Sequence, residues 1–327
     1  MRTVGSILTL LLPLALHGPA QAKETAGQAP GQSGSAESFV EALDRNGMSF
    51  GVYDPHSAFK GERDVDIEHM FVYWQALDVD ALRSRLDYAS QHARKMMVTV
   101  EPYTRAVNWR DGGEHLFKDI VSGKFRKEIT RVCSELAGFD GSVLVRWGHE
   151  MEDPTGRYPW ARKDNEGFKS AFRHFVGSCK SVAQNVSFVW SPKGEKNLAD
   201  YYPGDDVVDL VGVSLWGLEK MDEKYYGGWR DFSSTFTEKY DRVAQFGKPV
   251  IIAELGVSGK SDYRENWFSN LFETVSSSEH FRQLRAIVYF NDKEPHYWPL
   301  GLGSPDWRLP GASSWFSTAK QAAKGFY

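Results

Sequence analysis

Val143-Leu-Val-Arg-Trp-Gly-His-Glu-Met-Glu152 begins as an apolar run and ends on an arginine, a histidine and two carboxylates. Its first five residues read as a strand, because a short run rich in Val and Leu packs best between two apolar layers. A carboxylate at the end of such a strand needs a reason, since burying it unpaired costs several kcal/mol. Pro249-Val-Ile-Ile-Ala-Glu-Leu-Gly-Val257 repeats the arrangement and carries Glu254. Working outward from these two, runs of the same kind fall at 49–54, 70–74, 96–101, 186–190, 208–215 and 284–290, giving eight strands with 143–147 and 250–253. Segments 81–93, 125–137, 165–183, 235–246 and 263–276 lie between them with apolar residues at helical spacing.

Eight buried strands alternating with helices predict an α/β fold, a single (β/α)8 TIM barrel. The rival, an open doubly wound sheet, announces itself by a Gly-x-Gly-x-x-Gly turn after the first strand, whereas Tyr53-Asp-Pro-His56 stands there. In such a barrel the active site lies at the carboxyl ends of the strands. Those ends present Tyr53 and Asp54, then Tyr73 and Trp74, then Glu101 and Tyr103. They continue with Arg146, His149 and Glu150, with Trp190, with Ser214 and Trp216, with Glu254, and with Asn291 and Asp292. Acids, one arginine, one histidine and many aromatics thus gather on one rim. That mixture suits a polysaccharide, whose rings stack on flat aromatic faces while its hydroxyls bond polar groups.

Composition narrows the partners. The net charge of −4 over 327 residues offers no basic field, and no cluster of Lys and Arg stands out, so nucleic acid is not an expected partner. At the N-terminus, Arg2, the apolar segment 7–16 and Ala20-Gln-Ala22 form a cleavable signal pattern, with the cut expected after Ala22. The expected organisation is a signal peptide at 1–22, a disordered Gly/Ser/Gln-rich lead-in at 23–38 and a catalytic barrel at 39–327. Export to the periplasm or the medium follows, with no membrane anchor, and the chain is expected to act as a monomer. Cys133 and Cys179 fall in predicted helices; export permits a disulfide, and the sequence leaves their pairing open.

Glycosidic bond cleavage needs one carboxylic acid to protonate the leaving oxygen and one carboxylate acting from the other side of the sugar. Glu150 and Glu254, on the fourth and seventh strands, face each other across a barrel mouth and are the chosen pair; Glu101, Asp54 and Asp292 compete with them. Arg146 is expected either to hold Glu254 ionised, as a cation within about 4–6 Å does, or to serve in a buried structural pair. His149 is expected to touch the catalytic pair or a sugar, or else to be a satisfied rim histidine. Tyr53, Trp74, Tyr103, Trp160 and Trp190 complete the expected sugar-binding set with Glu101 and Trp216. No His-x-His ends an early strand and neither His-Glu-x-x-His nor Gly-x-Ser-x-Gly occurs, so no metal, cofactor or serine nucleophile is expected. The alternative is a barrel that binds carbohydrate without turnover.

Arg146-Trp-Gly-His-Glu-Met151, followed by Gly156-Arg-Tyr-Pro-Trp160, resembles the Arg-x-x-His-Glu-Met-Asn-Gly and Trp-Tyr/Phe-Pro-Trp pattern of glycoside hydrolase family 26. Phe188-Val-Trp-Ser-Pro192, Val211-Gly-Val-Ser-Leu-Trp216 and Ala253-Glu-Leu-Gly256 are similar to its later strand signatures, and Phe50-Gly-Val-Tyr-Asp-Pro55 to its first strand. The resemblance implies a retaining endo-β-glycanase acting on mannan, mixed-linkage glucan or β-1,3-xylan. It also implies that Glu150 is the acid/base and Glu254 the nucleophile, with Arg146, His149 and Trp216 packed around them. Two departures stand out: Glu152 and Asp153 replace Asn-Gly, and Glu101-Pro-Tyr103 ends the third strand where many mannanases carry His. Both are expected to line the subsites that read sugar stereochemistry. They leave the substrate open between β-mannan, β-glucan and a bacterial exopolysaccharide.

Overall fold

Eight parallel strands close on themselves in chain order, each hydrogen-bonded to the next and the last to the first. They are β1 (Ser49–Tyr53), β2 (Ile67–Tyr73), β3 (Lys95–Glu101), β4 (Val143–Trp147), β5 (Val186–Trp190), β6 (Leu210–Leu218), β7 (Val250–Ser258) and β8 (Leu284–Phe290). The computed structural model describes residues 47–324 except 106–107, 109–111, 162–163, 278 and 310–312; the expected signal peptide and lead-in lie outside the described residues. Around the barrel run α1 (Val79–Gln91), α2 (Leu116–Val121), α3 (Arg126–Ala137), α4 (Asn165–Lys180), α5 (Glu219–Tyr225), α6 (Phe232–Ala244), α7 (Ser261–Ser277) and α8 (Ser313–Ala323). The fold is the (β/α)8 barrel that the strand pattern predicts.

Side-chain alternation builds two cores at once. Along β3, Met96, Val98 and Val100 join the large core between strands and helices, while Met97 joins the smaller one inside the barrel with Ile67, Leu144, Val189, Leu210 and Ile251. Each of these side chains is buried, and burying one of their size contributes about 1.5–3 kcal/mol. Helices start where an aspartate can satisfy their free N–H groups: Asp78 caps α1, Asp164 caps α4, and Asp231 forms a capping box with Ser234 on α6. Cys133 of α3 and Cys179 of α4 are disulfide-bonded, tying neighbouring helices with Cα atoms 5.4 Å apart. Among the described residues no helix is long and apolar enough to cross a membrane.

One irregularity in this frame matters for chemistry. Ile251 and Ala253 both belong to the core inside the barrel, so strict alternation would turn Glu254 outward to the helices. The pairing register slips there instead: Val213 lies opposite Ile252, but Ser214 lies opposite Glu254. This bulge reverses the parity of β7, keeps Glu254 inside and sends Leu255 and Val257 to the helical side.

Candidate active site

Above the apolar floor of the barrel lies a buried polar layer centred on Arg146. Alternation places Arg146 inward on β4, opposite Thr99 of β3, and its side chain is fully buried. Its Nε donates to Ser191 Oγ at 2.8 Å, its Nη2 to Ser214 Oγ at 3.2 Å and its Nη1 to Glu254 Oε1 at 2.5 Å. Beside it, His69 Nε2 and Thr99 Oγ1 are 2.8 Å apart. The guanidinium fork is thus held by neutral hydroxyls on two neighbours while one edge grips the carboxylate. Burial pushes the Glu254 carboxyl above the ordinary carboxylate range and the charge of Glu150 adds to it; Arg146 opposes both. Arg146 therefore offsets the burial of Glu254 and does not bring its pKa below the usual range, a correction to the simplest reading of that arginine.

Glu150 reaches the same space by a different local device. Beyond β4 the backbone turns through Gly148, with φ +57°, and Glu150, with φ +52°. A left-handed conformation is free for glycine but costs a glutamate about 1–3 kcal/mol, so neighbouring bonds must hold it. They do so through Gly148 N–H donating to the Val100 carbonyl at 3.2 Å and Glu150 N–H donating to the Ser191 carbonyl at 2.8 Å. The kink swings the Glu150 side chain over the barrel mouth, 4% of the residue still exposed.

Glu150 and Glu254 open into one cleft of about 990 Å³ at the carboxyl ends of the strands. Of the residues expected from sequence, Tyr53, Glu101, Tyr103 and Trp216 line it with the two carboxylates. Trp216 lies against Gly256, where a Cβ would come 2.6 Å from its ring, and packs on Trp307 with centroids 4.7 Å apart.

Arg146, His149, Trp74, Trp160 and Trp190 do not line the cleft, which corrects the expectation that they contact sugar, while the expected contact of Arg146 with Glu254 is present. Arg146 acts from beneath, through Glu254. His149 is buried, its Nε2 3.2 Å from the Tyr158 hydroxyl; burial, and then the charge of Arg146, hold its pKa far below the usual imidazole range, so it is neutral. Its place is to fix Tyr158. Trp160 stacks under Tyr158 with ring planes 8° apart and donates to the His149 carbonyl at 2.6 Å. Trp74 stacks on Phe125 and donates to the Tyr103 carbonyl, and Trp190 packs between Tyr202 and Phe246 in the helical core. Glu152 and Asp153 are likewise away from the cleft wall. Glu152 accepts from the Gly194 and Glu195 amides, and Asp153 from Thr155 and Lys193, so both brace the loop after β5.

Other cleft residues stood outside the expected sugar-binding set, Tyr73 among them although it is one of the strand-end residues named above. Tyr73 lines the cleft, in register with Glu101, and Ile67 on the same strand has the same parity and points inside, a signal that favours Tyr73 over Trp74. Arg157 and Tyr158 come from the loop after Glu150, and Arg157 stands where the family pattern quoted above has tryptophan. Arg157 approaches Glu294, on the long loop after β8, at 3.8 Å. That loop also supplies Trp298 and has no periodicity by which to place it. Among the described residues no group of three or more His, Cys, Asp or Glu side chains is arranged to hold a metal ion.

Comparisons with known proteins agree on the kind of protein. The sequence profile of glycosyl hydrolase family 26 matches residues 60–281. Endoglucanase H of Acetivibrio thermocellus is 26% identical over 258 residues, 75% of this chain and 27% of that protein. Beta-1,3-xylanase TXYA of a Vibrio species is 32% identical over 106 residues, 30% of this chain and 22% of that protein. These matches span about a quarter of the length of the curated relatives. Among solved structures, a modular endo-β-1,4-mannanase from Cellulomonas fimi shares the fold, with a TM-score of 0.65 at 13% identity over 89% of this chain and 75% of that one.

Proposed function

The chain belongs to glycosyl hydrolase family 26, and from that premise we propose that it is a retaining endo-β-glycanase whose nucleophile is Glu254 and whose acid/base is Glu150. The observation that carries this reading is the Arg146–Glu254 contact at 2.5 Å beside a second, differently held carboxylate in the same cleft. Arg146 binds Oε1, which leaves Oε2 to attack the anomeric carbon. Glu150 donates its proton to the glycosidic oxygen as that bond breaks, and a glycosyl ester forms on Glu254. Glu150, now ionised, takes a proton from water; the hydroxyl oxygen attacks the anomeric carbon and displaces Glu254 as carboxylate. A barrel that only bound sugar would gain nothing from holding Glu150 at a strained φ.

The substrate we propose is a neutral β-linked polysaccharide, a β-mannan or a β-glucan, with a bacterial exopolysaccharide as a further source. Counting only Glu254, Asp292 and Glu294 as charged, the cleft still carries more carboxylates than its cations Arg105 and Arg157, a balance that repels uronic acids. Names borne by the relatives support this class: endoglucanase, β-1,3-xylanase and endo-β-1,4-mannanase. The leader at 1–22 supports export, so the substrate would be met in the periplasm or outside the cell. Reducing ends released from mannan, mixed-linkage glucan, β-1,3-glucan and xylan test the reading. One polymer should be cleaved, and E150Q and E254Q should each lose at least about 100-fold in kcat, in the range that general acid–base catalysis supplies. Near-wild-type turnover by either variant contradicts the assignment.

A further inference from the structure

Of the carboxyl groups that line the cleft, the proposed chemistry uses Glu150 and Glu254, while Asp292 meets His56 and Glu294 meets Trp307 and Arg157. The remaining one, Glu101, ends β3 and is 6% exposed, yet it lines the cleft with Glu150 and Glu254. Among the described residues no donor or acceptor bonds its side chain, whereas Glu254 has Arg146 and the deeper Glu68 has Arg85 and Arg94. A buried carboxyl without a partner leaves desolvation uncompensated, unless a ligand supplies the partner or the group sheds its charge. The charges around it compete. Arg146 of β4 and Arg157 of the following loop favour its ionised form, and Glu254 of β7 and Glu150 oppose it. The phenols of Tyr53, Tyr73 and Tyr158 complete its titratable surroundings.

We propose that Glu101 is a specificity residue that works as a neutral carboxylic acid, donating its O–H to an oxygen of the sugar bound between Glu150 and Glu254 while its carbonyl oxygen accepts from a sugar hydroxyl. The proposal rests on the hydrolase reading above and adds a role that neither catalytic carboxylate fills. Burial, then the charge of Glu254, pushes Glu101 up to about 8, so the acid form prevails at neutral pH. A group that both donates and accepts recognises a sugar hydroxyl pair, and an ionised one only accepts. Ionised, Glu101 would also set a negative charge beside that of the nucleophile Glu254. Losing the Glu101 proton should therefore weaken substrate binding and transition-state binding together.

The test is the pH dependence of kcat/KM on the glycan the wild type cleaves, compared with E101Q and E101A. Wild type should lose activity on the alkaline side with an apparent pKa near 8. E101Q, which is always neutral and both donates and accepts, should lack the loss of kcat/KM near pH 8 whatever its activity at pH 6. E101A should lose about 10-fold to 100-fold in kcat/KM, in line with about 1.4 kcal/mol per tenfold for a buried polar contact, with KM raised at least as much as kcat is lowered. An alkaline limb unchanged in E101Q, or an E101A enzyme within twofold of wild type, overturns the proposal while leaving the hydrolase reading intact. Failure of the wild type to cleave any glycan overturns the hydrolase reading first and this one with it.

Discussion

Glu254 and Arg146 form a unit whose two halves answer different needs. Burial favours the neutral acid, and attack on an anomeric carbon requires the carboxylate; the arginine 2.5 Å away restores part of what burial removes. Replacing Arg146 by Gln removes the main influence that lowers Glu254 and leaves Arg157 alone to oppose burial and the charge of Glu150. Because activity requires Glu254 ionised, the acidic limb of the kcat/KM profile of R146Q should move to higher pH, by about one to three units. Thermal denaturation should show a loss of about 3–5 kcal/mol in stability, the usual result of leaving a buried charge without its partner. An acidic limb that stays in place would separate Arg146 from the nucleophile. At this scale the sequence was a good guide to acids and a poor one to tryptophans. An acid just past a buried strand has few structural excuses, so Glu150 and Glu254 stood out. A tryptophan is at home in a core or on a sugar-binding wall, and Trp74, Trp160 and Trp190 all proved to be core.

Element by element, the strands were legible because each is sandwiched between the barrel interior and the helices, which forces continuous apolar runs. Bounds matched where such a run ends abruptly, as at Val143–Trp147, and fell short for β6 and β7, which continue through Leu218 and Ser258. Those extensions carry polar and glycine residues because they form the wall of the cleft. The helices α2 and α5, of six and seven residues, are too short to establish a period. The bulge in β7 was invisible for the opposite reason: Ile251, Ile252 and Ala253 are all apolar, so no alternation betrays which faces inward. Beyond the bulge, Gly256 gives Trp216 its seat. An alanine there would place a methyl 2.6 Å from the indole, so the ring must shift. G256A should fold, because the clashes, with Trp216 and with Trp307 at 2.9 Å, are with side chains and not backbone, and should raise KM several-fold with a smaller change in kcat. A KM equal to wild type would mean that Trp216 does not contact the substrate.

For the whole molecule, closure follows from eight strands of similar length with helices wide enough to cover them, and closure is what brings distant positions together. Glu150 and Glu254 become neighbours because β4 and β7 lie across the mouth, a relation that strand order alone predicts. The loops that roof the cleft, 154–160 and 291–309, answer to no periodicity and set Arg157, Glu294 and Trp298 in place only in three dimensions. The disulfide between α3 and α4 was permitted by the sequence and settled by helix packing, which brings the two cysteines within reach. The cleft belongs to this scale too, since its lining comes from strands β1, β2, β3, β6, β7 and β8 and from both loops at once.

Retention of configuration is what the proposed mechanism requires of Glu254, placed by a bulge, and Glu150, held by a kink. Proton NMR of the anomeric region during the first minutes of hydrolysis reads it directly. With Glu254 as nucleophile, the new reducing end should appear first as the β-anomer, and the α-anomer should grow in only as fast as mutarotation allows. If the α-anomer appears first, water attacks without a covalent intermediate, and Glu254 is not the nucleophile.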